Sequence, residues 1–130
     1  MFYLLVVGSR GFQNYHLLCK ILDMLLENHM EITVVAGGAK GADSLAEMYA
    51  KSKSYPLRVF PAQWDMYGKR AGYIRNEEMH KFVSQQEKRG VVAFWDGKSP
   101  GTEHSFRLAK IYGNPIRVFD YIQGKFVHPR

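Results

Sequence analysis

The chain has 130 residues, a length that predicts one domain with a sizeable single core. No apolar stretch approaches the ~20 residues needed to cross a bilayer, which excludes a transmembrane helix and gives no reason to expect a membrane partner. The net charge of +6 would suit a nucleic-acid surface, but the cations are scattered and only Lys69-Arg70 and Lys88-Arg89 are adjacent, which favours charge focused at a site over a broad basic groove.

In chain order, the apolar run FYLLVV (2 to 7) predicts a buried first strand. It lacks a basic leader and a small-residue cleavage site, so it does not read as a signal peptide. The turn Gly8-Ser9-Arg10-Gly11 follows, and Leu17, Leu18, Ile21, Leu22, Leu25 and Leu26 then recur at helical spacing within 13 to 28. Cys19 lies in that helix; as the one cysteine it cannot close an intrachain disulfide, which suits a reducing, cytoplasmic setting. A second strand, EITVVA (31 to 36), leads into Gly37-Gly38-Ala39-Lys40-Gly41-Ala42-Asp43 and a helix over 41 to 53. Pro56 opens a third strand, LRVF (57 to 60), and an irregular aromatic stretch over 61 to 72 carries Trp64 and Tyr67. A loop of that length inside a compact domain is more often functional than idle. Helical periodicity returns over 73 to 87, and VVAFW (91 to 95) predicts a strand buried on both faces. After Asp96-Gly97-Lys98-Ser99-Pro100-Gly101-Thr102-Glu103, Thr102 can cap a last helix to about Tyr112, which Gly113-Asn114-Pro115 stops before a fifth strand, IRVF (116 to 119). The end, 120 to 130, is left open between a short strand through KFVH and a tail.

This alternation predicts a Rossmann-like three-layer α-β-α sandwich with a mainly parallel five-stranded sheet. In such a sheet the turns after the strands share one edge, and ligands gather there where the strand order reverses. Each of the three glycine-rich turns has the chemistry of an anion site. Gly8 lets the backbone approach a phosphate or ribose, the Ser9 hydroxyl can donate to it, and Arg10 supplies a planar fork for phosphate or stacks on a base. Gly37, Gly38, Gly41 and Ala42 leave the start of the second helix bare for an oxyanion, with Lys40 nearby and Asp43 as its cap or as a ribose holder. The glycines fall as G-G-x-x-G, which is neither the dinucleotide fingerprint nor a Walker A loop. Trp64 can stack on a base, and Arg75 and Asn76 can reach a phosphate or ribose from the start of their helix. In the third turn Asp96 and Glu103 are carboxylates on the same edge, while Gly101 and Thr102 free and cap the helix N-terminus. The five histidines are far apart without zinc-ligand spacing, so no metal site and no cofactor is expected.

Taken together, GSRGF, GGAKGADSLA, PAQWDMYGKRAGYIRNEEM and FWDGKSPGTEHSFRLA resemble the YspA-related family of the SLOG superfamily over about residues 1 to 119. That resemblance implies a Rossmann-like sheet and a pocket for nucleotides or nucleotide-derived ligands such as ADP-ribose, with Gly37, Gly38, Gly41, Arg75, Gly101 and Thr102 matching the ligand-binding motifs. It also implies a homodimer paired through helices. Among relatives, the Lonely Guy phosphoribohydrolases place a catalytic carboxylate three residues after the motif threonine; this chain has Ser105 there. The leading expectation is therefore a non-catalytic or weakly catalytic module that senses a nucleotide-derived molecule. A hydrolase of N-glycosidic or phosphoester bonds, using Asp43, Asp96 or Glu103, is the alternative, and a DprA-like single-stranded DNA binder the third reading, weakened by the dispersed basic residues.

Overall fold

The first strand of the sheet, β1 (Phe2–Gly8), owes its central position to its residues. Leu4 and Val6 point into one apolar cluster while Leu5 and Val7 point into another, so the strand must be covered on both faces. The computed structural model, which describes residues 1–129, meets this demand with β2 (Ile32–Ala36), β3 (Leu57–Val59), β4 (Arg89–Trp95), β5 (Ile116–Asp120) and β6 (Lys125–Val127) in one sheet of order β3-β2-β1-β4-β5-β6. β1 pairs in parallel with both β2 and β4, and β5 continues the parallel set. The helices α1 (Tyr15–Leu26) and α2 (Ala42–Lys53) cover one face through Leu18, Leu22, Ala46 and Tyr49. On the other face lie α4 (Ala71–Ser84) and α5 (Pro100–Tyr112), through Met79, Val83 and Phe106.

The Rossmann-like sandwich is as expected, with three local differences. A sixth strand extends the expected five: β6 folds back antiparallel on β5, with Phe126 against Phe119 at a ring separation of 5.2 Å. That pair buries an aromatic which the short sequence window could not assign to a face. The long loop is not wholly irregular, since it holds a one-turn helix, α3 (Trp64–Tyr67), and a 3₁₀ turn, Gly68–Arg70, that run into α4 two residues before the expected start. Finally, α5 begins at Pro100 with Ser99 in the N-cap position, ahead of the expected cap Thr102. Proline's fixed φ and missing N–H make it a favoured first helical residue. At the far end Gly113, with φ +69°, stops α5 as expected, and the Asn114 amide donates to Ala109.

Candidate functional site

The chain order leaves β1 through α1 to β2 and β3 on one side, then crosses to β4 and β5 on the other, so the strand order reverses between β1 and β4. A cleft of about 440 Å³ opens there, within the size range of small-molecule sites. Its walls come from the turn after β1 (Gly8, Ser9, Arg10, Gly11), from α3, the 3₁₀ turn and α4 (Trp64, Lys69, Gly72, Tyr73, Arg75, Asn76, Met79) and from the start of α5 with its N-cap (Ser99, Pro100, Gly101, Thr102, Ser105), with Val7, Ala39 and Asp43 completing it.

The start of α5 owes its chemistry to a side chain diverted elsewhere. Asp96 accepts from the Lys98 amide at 3.0 Å, the Ser99 amide at 2.7 Å and the Ser99 hydroxyl at 2.7 Å. Partial burial pushes its carboxyl up, but these hydrogen bonds outweigh that and hold it below the ordinary value. Because the Ser99 hydroxyl is turned to Asp96, it does not cap the helix, and proline has no N–H to offer. The first amides of α5, those of Gly101 and Thr102, are therefore left without a side-chain cap, and both residues line the cleft. Ser9, 3% exposed, ties the first and third turns together, because its hydroxyl accepts from the Asp96 amide at 3.2 Å.

Arg75 lies in the first half of α4 and is 8% exposed. Its guanidinium donates through Nη1 to the Gly37 carbonyl and through Nε to the Asn76 side chain at 2.9 Å. Burial lowers its pKa, the Asp43 charge opposes that shift, and Arg10 adds to it. Asp43, 7% exposed, accepts from the Ala39 amide at 3.2 Å. Burial raises its carboxyl to about 6 despite the opposing charge of Arg75 and the Ala39 hydrogen bond. Arg10, on the rim, lies over the Trp64 ring with its guanidinium carbon 6.0 Å from the centroid. The cleft thus gathers three cations, Arg10, Lys69 and Arg75, against one weakened acid, Asp43.

Of the residues singled out in the sequence, Gly8, Ser9, Arg10, Asp43, Trp64, Arg75, Asn76, Gly101 and Thr102 line this cleft; Gly37, Gly38, Lys40, Gly41, Ala42, Asp96 and Glu103 do not. The second glycine turn acts from behind. A Cβ on Gly37 would stand 2.6 Å from the Arg75 Nη1 and 2.9 Å from the Asp43 Oδ2, so its bareness lets that pair approach. Gly41, with φ +80°, occupies the N-cap of α2 against the carbonyls of Ser9 and Arg10. Asp43 is accordingly in the first turn and not the cap that the sequence suggested, since its carboxylate folds back to Ala39. The sequence reading did not assign Tyr73, Met79, Ser99 or Ser105 to the site. The step of three or four residues from Arg75 to Met79, and from Thr102 to Ser105, is the signal that would have found two of them. Among the described residues, no three His, Cys, Asp or Glu side chains stand close enough together to hold a metal ion. None of the described helices is long and apolar enough to cross a membrane.

A mainly parallel open sheet with helices on both faces and a cationic cleft at its switch point places the chain in the Rossmann-like α/β class. Within that class the chain belongs to the YspA, cpYpsA-related SLOG family, whose family model matches residues 2–67. It is 34% identical over 121 residues to the gene 61 protein of Mycobacterium phage D29, covering 88% of this chain and 94% of that one. Among solved structures it is similar to DNA processing protein A from Helicobacter pylori, with a TM-score of 0.66 at 21% identity, a likeness of fold. The match covers 90% of this chain and 64% of the Helicobacter chain, whose structure was described for its single-stranded DNA binding mode.

Proposed function

We propose that the cleft binds a nucleotide or nucleotide-derived ligand and that the protein serves as a sensor or regulatory module. The observation that carries this reading is the uncapped N-terminus of α5 beside the buried Arg75. Bare amides and a guanidinium suit a phosphate. Trp64, 48% exposed on the rim with Arg10 above it, offers a stacking face for the base. Isothermal titration against AMP, ADP-ribose, NAD and cyclic nucleotides tests the reading: saturable binding is expected, and no binding at millimolar concentration overturns it.

Hydrolysis is the less supported alternative, because Asp96 is committed to its turn and neither it nor Glu103 lines the cleft. Asp43, raised to about 6, is the carboxyl that an enzyme would use there. Release of free base or ribose phosphate from a nucleotide panel, abolished in Asp43→Asn, would establish it. A second reading, single-stranded DNA binding, is favoured by the exposed rings of Trp64, Tyr67 and Tyr73 and by the fold shared with the Helicobacter protein. It predicts affinity that falls steeply with salt and weakens in Trp64→Ala.

A further inference from the structure

We infer that the cleft selects a terminal phosphate monoester on a nucleoside, with the Ser105 hydroxyl as its innermost donor; this inference rests on the nucleotide reading of the same cleft. Ser105 is one turn beyond Thr102 on α5, is 1% exposed and lines the cleft. Its Oγ is buried and has no hydrogen-bond partner among the described residues. Nearly all buried hydroxyls in folded proteins are satisfied, and one left unmade is costly, so its partner is to be sought outside the chain.

The surrounding chemistry says what that partner is. The Gly101 and Thr102 amides and the Arg75 guanidinium are donors, and they share the cleft with Ser105. A ligand group among them must accept, and the local charge favours an anion. The Ser105 hydroxyl is a further donor to such a group. Depth supplies the second criterion. An atom so nearly closed to solvent is met only by a group that enters end-on. A terminal phosphate monoester presents three free oxygens to these donors. An internal phosphodiester has two free oxygens and carries a nucleoside on each side, which keeps it from reaching Ser105.

A free mononucleotide and the 5′-phosphorylated end of a strand share this chemistry. Titration calorimetry on the full chain separates them, with AMP, its phosphate methyl ester, adenosine, inorganic phosphate, and one short single strand with and without a 5′-phosphate. AMP is expected to bind at least about ten-fold more tightly than its methyl ester or adenosine. Ser105→Ala should weaken AMP about ten-fold or more and leave adenosine unchanged, as expected for loss of a hydrogen bond to a charged group. Without ligand the same variant should melt no lower than the parent, because the deleted hydroxyl has no partner to lose. A merely structural serine would instead lower the melting temperature.

Equal affinity for AMP and its methyl ester in the unmodified chain overturns the proposal without relying on any variant. So does a folded Ser105→Ala that binds AMP as the parent does. Binding confined to the 5′-phosphorylated strand would support the terminal phosphate and make a strand end its source. If inorganic phosphate binds in a Ser105-dependent manner and no nucleotide binds, the nucleotide reading falls while the oxyanion site stands. Absence of binding by every probe overturns both.

Discussion

Asp43 and His80 are buried ionisable groups whose protonation preferences oppose each other. The Asp43 carboxyl is raised to about 6 by burial, so the folded chain holds its proton more firmly than the unfolded chain with the ordinary 3.8. The stability that this proton contributes is present below about pH 4 and is lost as pH rises through about 6. His80, fully buried in α4 with its Nδ1 3.3 Å from the Asn114 side-chain nitrogen Nδ2, is lowered to about 4 by burial and by the nearby His104. Its neutral form supports the fold, so its contribution is lost as pH falls from about 6.5 through 4. Asp43→Asn should therefore remove one limb alone. Relative to the parent, the variant is expected to gain stability steadily between pH 4 and 6, by up to about 3 kcal/mol, and to stay level above pH 7. Urea unfolding at stepped pH measures this, and an unchanged difference across the window would contradict it. Arg75→Lys should keep a charge yet weaken AMP about ten-fold, because an ammonium cannot serve Gly37, Asn76 and a ligand with one planar fork.

At the scale of elements, the second glycine turn backs the cleft wall. Gly37→Ala should displace Arg75 and Asp43, whose atoms already crowd the position. It is expected to cost about 1–3 kcal/mol and to weaken ligand binding in parallel. Gly41→Ala should cost more, because it adds strain at φ +80° to overlap with the backbone of Ser9 and Arg10, which cannot rotate aside. Gly101→Ala meets open space and should change stability by less than about 0.5 kcal/mol. Thermal melts of the three variants check the order. The strand runs and helix spacings that built these elements were legible because each repeats its apolar period several times, as Leu18, Ile21, Leu22 and Leu26 do in α1. The starts of α4 and α5 were not, because a proline at the first helical position and a one-turn helix have no period to read.

For the whole molecule, the positive charge matters through its placement. If binding is confined to the cleft, where Arg10, Lys69 and Arg75 stand near Asp43, raising salt from 50 to 200 mM should weaken AMP only a few-fold. A strand lying across a basic surface with 6–10 phosphate contacts would lose roughly 10³–10⁵. Saturating AMP at about 100 times its dissociation constant should stabilise the fold by about 2.7 kcal/mol, which melting curves with and without ligand report.

The sequence by itself determined the Rossmann-like architecture of the five parallel strands and the edge on which the glycine turns gather. Apolar runs must be buried on both faces, and glycine turns after them can only gather at the carboxyl ends of parallel strands. It also singled out Arg75, Gly101 and Thr102, which line the cleft. Only the tertiary structure decided how the three turns divide the work. The first and third meet across β1 and β4 through Ser9 and Asp96, and the second stands back to seat Arg75. Hydrogen-bond partners that lie 87 and 38 residues apart leave no mark in local pattern. For the same reason the open amides of α5 and the unpaired Ser105 hydroxyl emerge only once α4 and α5 are packed side by side.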